Sequence, residues 1–265
     1  MAIRFTILGS SSSGNCALLV TDDCTVLIDA GFSARKIGGM LEEVGLTPDA
    51  IDAVFLTHEH SDHCAGINGL CRKRPLKVFA NRGTATVLHR KLRNRPDWQI
   101  FETGTCFEFR GLEVESFQIP HDATEPVGFI FRHGHGDLLS PRRSVAWVTD
   151  LGYAPELVRQ RIRDVDILVL EANHDPALLR NDRKRPWAVK QRISGRHGHL
   201  SNEAARDLMA SVERPSWRHV CLAHLSRDCN SLDAVEAAFA PFRGDGHGFE
   251  LSVVAPEGFG PDLSL

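Results

Sequence analysis

Short runs of alternating apolar and polar positions recur along the chain, with helically spaced runs between them. Residues 3–8 alternate and are β-rich, then break at Gly9-Ser10-Ser11-Ser12-Ser13-Gly14-Asn15. Strand character returns at 16–20 and 25–28, with Asp22-Asp23 as the turn, so the chain is predicted to open as a β-meander. Over 34–44, Ile37, Met40, Leu41 and Val44 fall at helical spacing, and Gly45 supplies a stop. Ala53-Val54-Phe55-Leu56 is a short, wholly apolar strand. Further strands are predicted at 78–80, 106–109, 112–117, 127–131, 145–148, 167–170, 219–222 and 249–254. Helices are predicted near 84–92, 202–212 and 232–240. No fixed-period repeat, linker or low-complexity segment divides the chain, so residues 1–265 are expected to form a single domain. Many strands with helices between and around them predict an α/β layered sandwich.

Composition narrows the class without naming a partner. A chain of 265 residues can bury a large core. Its 42% hydrophobic and 25% charged residues are ordinary for a soluble globular protein. A net charge of -3 points to no partner. No apolar run approaches the ~18 residues that a membrane helix needs. Residues 1–9 lack a long apolar stretch and read as a first strand, not an export signal. Seven scattered cysteines, an odd number, argue against a disulfide framework and for a reducing cytoplasm. Histidine is the outlier at 13 residues, and its clustering matters more than its count, because imidazole is the commonest metal ligand.

His58, His60, Asp62 and His63 crowd into six residues at the end of a buried strand. Three imidazoles and a carboxylate are costly to bury unless something binds them. On an extended turn His58 and His60 point one way, while Asp62 and His63 reach a second point nearby. That suits two divalent cations sharing a water. Such ligands take zinc, manganese or iron, and the sequence does not choose among them. Glu59, between two of these residues, is expected to face away and to have no catalytic role.

Preceded by Leu56-Thr57, the run His58-x-His60-x-Asp62-His63 resembles the metal signature of the metallo-β-lactamase superfamily. The resemblance implies a four-layer αββα sandwich with the metals at one edge, between the two sheets. It also implies the remaining ligands. These are His121 in Ile119-Pro120-His121-Asp122, Asp150 in Val148-Thr149-Asp150-Leu151-Gly152, and His224 in Leu222-Ala223-His224-Leu225-Ser226. By that likeness His58, His60 and His121 hold one metal, Asp62, His63 and His224 the other, and Asp150 bridges them. Asp62 and His199 are the candidate catalytic residues, with a metal-bridging hydroxide as the expected nucleophile.

Further motifs resemble the YycJ/WalJ-type branch of that superfamily. They are the Ser/Gly/Asn turn through Cys16, Leu27-Ile28-Asp29-Ala30-Gly31, Glu171-Ala172-Asn173-His174-Asp175, Gly198-His199-Leu200-Ser201-Asn202 and the run from His224 to Asn230. The branch is linked to exonuclease action on DNA, so the resemblance implies a phosphodiesterase acting on nucleic acid. Ser12, Ser13 and Asn15 offer hydroxyls and free N–H groups for a phosphate. His199, beside Gly198, is placed to give a proton or hydrogen bond to it, and Ser201 or Asn202 reads as a helix N-cap. His174 and Asn230 are further substrate-side candidates, Asn230 and Ser226 also as groups that orient ligands.

Basic residues are segregated. Nine fall between Asp62 and Asp97 with no acid among them, and seven fall in 180–196 against Asp182 alone. Such tracts fit a polyanionic backbone, and Trp187, inside the second, is of the type that stacks on a base. A hydrolase of a small ester, thioester or lactone would share the metals but not need the tracts. A flavin-bearing di-iron oxidoreductase of this superfamily carries His-x-Glu-x-Asp, whereas position 60 is His. The 73 positions between Asp150 and His224 leave no room for an inserted cap domain. No segment resembles the protruding arm of tRNA-processing relatives.

Overall fold

The computed structural model describes residues 3–137, 141–244, 246–256 and 258–265. The twelve predicted strands and two more assemble into two sheets of seven strands each. The first takes, in chain order, β1 (Arg4–Ser11), β2 (Gly14–Val20), β3 (Thr25–Ile28), β4 (Ala53–Phe55), β5 (Lys77–Asn81) and β6 (Asp97–Phe101). The second takes β7 (Cys106–Phe109), β8 (Leu112–Gln118), β9 (Val127–His133), β10 (Arg143–Val148), β11 (Ile167–Glu171), β12 (His219–Ala223) and β13 (Glu250–Val253). A last strand, β14 (Asp262–Ser264), returns to pair with β1. Strands β3 to β6 run parallel, as do β10 to β13; the remaining pairs are antiparallel.

Alternation along each strand separates the layers, because successive side chains leave a strand on opposite faces. In β1, Phe5 and Ile7 join the core between the sheets while Leu8 joins the core beneath the outer helices. In β10, Val145 and Trp147 face inward and Ala146 and Val148 face outward. Outside the first sheet lie α1 (Ala34–Glu43), α2 (Ser61–Cys64), α3 (Ile67–Leu70) and α4 (Arg82–Lys91). The second half adds α5 (Glu156–Arg163), α6 (Pro176–Asn181), α7 (Trp187–Ile193), α8 (Asn202–Ser211) and α9 (Leu232–Phe239), of which α5, α8 and α9 cover the second sheet. The result is the expected αββα sandwich. The first strand holds from Arg4; Met1 and Ala2 lie outside the described residues.

Helix α1 buries Ile37, Met40 and Leu41, and Ser33 caps it by accepting from Lys36 N. Ser201 caps α8 by accepting from Ala204 N, which decides between the two predicted caps. The pattern did not predict β6, β14 or helices α2, α3 and α5 to α7. Strand β6 ends its sheet and buries only Phe101, so its polar face hides the alternation. Helices α6 and α7 have six and seven residues, too few for a helical period to stand out. All seven cysteines are free. Among the described residues no helix is long and apolar enough to cross a membrane.

Candidate metal centre

The parallel strands aim their carboxyl ends at one edge of the sandwich, the usual place for a site in open α/β sheets. Asp29 follows β3, Thr57 and His58 follow β4, and Asp150 lies just beyond β10. Glu171 ends β11 and His224 follows β12. Asp29, Asp150 and His224 have φ of 58°, 62° and 57°, a left-handed conformation that non-glycine residues rarely adopt. Three such residues at one edge mark backbone strain at a functional site. The surroundings hold them in place: His224 N donates to Ser10 Oγ at 3.0 Å, and the Asp29 carboxylate accepts from Thr57 N at 2.9 Å. Gly31 lets the Asp62–His63 segment approach, since a Cβ there would stand 1.7 Å from the Asp62 carbonyl oxygen. We expect Gly31→Ala to lower stability by about 3 kcal/mol through overpacking, read as a fall in melting temperature. A wild-type melting curve would show that the segment can shift freely.

Two groups of donors meet at this edge, and a third overlaps the second. His58, His60 and His121 offer nitrogens within 4.8 Å of one another, so do ligand atoms of Asp62, His63, Asp150 and His224, and so do those of Asp150, Glu171, His199 and His224. His121 Nε2 is 3.2 Å from His60 Nδ1, and His224 Nδ1 is 3.3 Å from Asp150 Oδ1. Asp62 Oδ2 lies 3.5 Å from His63 Nε2 and 3.6 Å from His224 Nε2.

The imidazoles are oriented from behind. Nδ1 of His63 donates to Asp29 Oδ2 at 2.7 Å, Nδ1 of His121 to the Gly198 carbonyl at 3.2 Å, and Nδ1 of His224 to Glu171 Oε1 at 2.8 Å. His58 Nδ1 meets Thr57 Oγ1 at 3.0 Å. Each contact holds Nδ1 from behind and turns Nε2 toward the cluster, the usual arrangement behind a metal-ligating histidine. His58 Nε2, His224 Nε2 and Asp150 Oδ2 are buried without a hydrogen-bond partner. Asp150 Oδ2 does approach His63 Nε2 at 3.1 Å, but not in hydrogen-bonding geometry. Buried polar atoms without partners are expensive, and a cation suits all three. The residues present therefore fit a divalent metal site.

Electrostatics divide the cluster. Burial, with the neighbouring imidazoles, holds His58 well below the usual histidine range, and burial lowers His121, so both are neutral donors. Burial opposes the charged form of His63 too, but Asp150, Asp29 and Asp62 outweigh it and push its pKa well up. In His224, Asp150, Asp62 and Glu171 likewise overcome burial and raise the pKa to about 10. The carboxylate half of the cluster thus favours positive charge. His199 behaves similarly: burial is outweighed by Glu171 and Asp150, and its pKa rises.

The structure brings His58, His60, Asp62, His63, His121, Asp150, His224 and His199 together. Glu59 faces away, its Oε1 accepting from Thr124 N and Oγ1. Ser12 and Ser13 are exposed at the β1–β2 turn, and Ser11, the last residue of β1, bridges to Leu225 beside His224. Asn15, expected to contact substrate, is instead fully buried. Its amide nitrogen lies 3.1 Å from the Ser11 carbonyl and 3.1 Å from His63 Nε2, so it braces the centre. Asn230 is also turned inward, donating to the Ala172 and Asn173 carbonyls and pairing with Asn202. These bonds make it a clamp between loops. Ser226 Oγ accepts from Cys229 N within the same loop. His174 is buried and lines a cavity with His199.

The basic tracts differ. The second lies on α6, α7 and their flanks, with Arg180 and Lys190 lining the cavity beside His199. The first is in the outer layer around α4, where Arg74 donates to the Asp49 and Ile51 carbonyls and Lys77 pairs with Asp97. Sequence reasoning gave no role to Asp29 or Glu171, although both stand in motifs that it singled out. Glu171 is fully buried, and its Oε1 accepts from both His199 and His224.

Two sheets with covering helices and a histidine–aspartate donor cluster at the strand ends define a metal-site αββα protein. The Beta-lactamase superfamily domain model matches residues 24–225, and the chain belongs to that family. It is 34% identical to Exodeoxyribonuclease YycJ of Bacillus anthracis, with 97% of each chain covered. It is also 34% identical to Exodeoxyribonuclease WalJ of Streptococcus pneumoniae, over 87% of this chain and 84% of that one. Among solved structures, the metallo-beta-lactamase fold protein YhfI from Bacillus subtilis superposes with a TM-score of 0.72 at 15% identity, covering 99% of this chain and 100% of that one. At that identity the likeness concerns the fold.

Proposed function

We propose that the chain is a metal-dependent phosphodiesterase of nucleic acid, a DNA exonuclease, working as one domain in the cytoplasm. The observation that carries this reading is the pair of adjoining donor groups with three buried ligand atoms left unpartnered. The names of the two 34%-identical relatives support the substrate. His58, His60 and His121 would hold one ion, Asp62, His63 and His224 a second, and Asp150 both. Zinc or manganese there would supply a water of lowered pKa and positive charge against the phosphodiester. Asp62, with 22% of its side chain exposed against 2% for Asp150, is the carboxylate positioned to accept a proton from water. His199, its Nδ1 fixed 2.8 Å from Glu171 Oε1, presents Nε2 to the leaving oxygen. Arg180 and Lys190 attract the phosphate backbone, and the exposed hydroxyls of Ser12 and Ser13 give it further donors.

The test is hydrolysis by purified protein of end-labelled single-stranded DNA, duplex DNA and RNA, beside bis(4-nitrophenyl) phosphate and a thioester. Manganese or zinc is added, or a chelator. We expect stepwise loss of nucleotides from DNA, abolished by the chelator and by His58→Ala. Turnover of the thioester alone would move the protein to the small-ester class.

A further inference from the structure

We propose that the cavity between α6, α7 and the start of α8 is a pocket for one unpaired nucleoside at a DNA end. This rests on the nucleic-acid reading above and deepens it. The cavity has a volume of about 330 Å³, at the small end for ligand pockets, with room for one base and its sugar but not a base pair. His174, Leu179, Arg180, Trp187, Lys190 and His199 line it. His199 belongs to both cavity and metal centre, so an occupant lies next to the reacting phosphate.

The lining selects the chemistry. Trp187 is 65% exposed at the first residue of α7 and has no ring or hydrogen-bond partner among the described residues. A large aromatic left in water beside a site is a platform for another flat ring. His174 is only 2% exposed, yet its Nδ1 has no hydrogen-bond partner. Burial lowers its pKa to about 4, so at neutral pH the ring carries one donor and one acceptor, as the edge of a base requires. Among the described residues no carboxylate lines the cavity and Arg180 has no acidic partner. Lys190 Nζ bonds the Arg180 carbonyl at 2.7 Å, which ties α7 to α6 at the cavity wall. A simple anion would not need the Trp187 and Leu179 walls, and an apolar ligand would not match the cations and the buried imidazole. A nucleoside with its phosphate uses all of them. A paired base has its edge already engaged, so an unpaired end enters at the least cost.

The test compares wild type, Trp187→Ala and Trp187→Phe, all metal-loaded, on a single-stranded oligonucleotide, the same oligonucleotide abasic at the consumed end, and bis(4-nitrophenyl) phosphate. Trp187→Ala should lower kcat/KM on intact DNA roughly tenfold, the size of one base–aromatic stack. Trp187→Phe should recover most of that, and the ratio of DNA to small-diester turnover should fall with Trp187→Ala. Removing the base should cost wild type a similar factor, and the two losses should not add, because they delete one contact. Additive losses, about a hundredfold together, or an unchanged Trp187→Ala rate on DNA, would overturn the pocket while leaving the nuclease reading intact. Hydrolysis of the small diester but of no nucleic acid by wild type would take down both.

Discussion

Asp150→Ala is expected to reduce metal-dependent hydrolysis by about 10³-fold or more in kcat/KM, and to reduce bound metal per chain. Asp150 is 1% exposed and is the carboxylate nearest the middle of the cluster. Its Oδ1 lies 3.3 Å from His224, 3.7 Å from His199 and 3.8 Å from His121, and its Oδ2 lies 3.1 Å from His63. The Asp62, His63 and His224 group therefore loses its most buried carboxylate in this variant, and His121 loses a neighbouring anion. Alanine also has to adopt a φ of 62°, which costs about 1–2 kcal/mol and would confuse the reading. Asp150→Asn separates the effects, because asparagine tolerates the left-handed region and keeps the shape while removing the charge. We expect Asp150→Asn to melt above Asp150→Ala without metal, and to lose most of the rise that metal gives wild type. Full metal content with wild-type rates in Asp150→Asn would sink the donor assignment.

The centre was legible where its chemistry is local in sequence. His58, His60, Asp62 and His63 are read together because one strand end and one short helix carry all four. Asp150 and His224 were accessible through family likeness, and each does follow a parallel strand. The Ser/Gly/Asn turn misled at Asn15, because a turn composition does not reveal which way an amide faces. Pairing of Asn15 with Ser10 across β1 and β2 turns it under the centre, where Ser10 Oγ meets its Oδ1 at 2.7 Å. Glu171 could not be read at all from its neighbourhood. A carboxylate ending an apolar strand looks like a strand terminus, and its partners His199 and His224 stand 28 and 53 residues away. Only the packing of β11 beside β12 and the 198–200 loop shows what it does. The basic tracts repeat the lesson: composition identified both, and the fold sets Arg180 and Lys190 of the second in the cavity wall beside His199.

Glu171→Gln is the second large effect expected, and its cause is a change of tautomer. Glu171 Oε1 accepts from His199 Nδ1 and His224 Nδ1, both at 2.8 Å. Oε2 accepts from the backbone N–H of Leu151 at 3.1 Å and of Leu200 at 3.0 Å. Burial works against the carboxylate, but His199 and the bonds from both imidazoles hold its pKa down to about 2. Glutamine has one oxygen and one NH2. The backbone donors cannot change, so the oxygen must face Leu151 and Leu200 and the NH2 must face the imidazoles. Each Nδ1 then has to become an acceptor, which moves its proton to Nε2. A protonated Nε2 removes His224 as a ligand and reverses the side from which His199 can act. We expect metal affinity to fall ten- to a hundredfold, in the range for losing the group behind a ligating histidine, and kcat/KM to fall about a hundredfold. Metal titration with imidazole nitrogen-15 NMR checks both parts. Unchanged tautomers with wild-type affinity would refute the mechanism. Recovery of full activity at saturating metal would assign Glu171 to His224 alone, whereas a loss that persists at saturation assigns the remainder to His199.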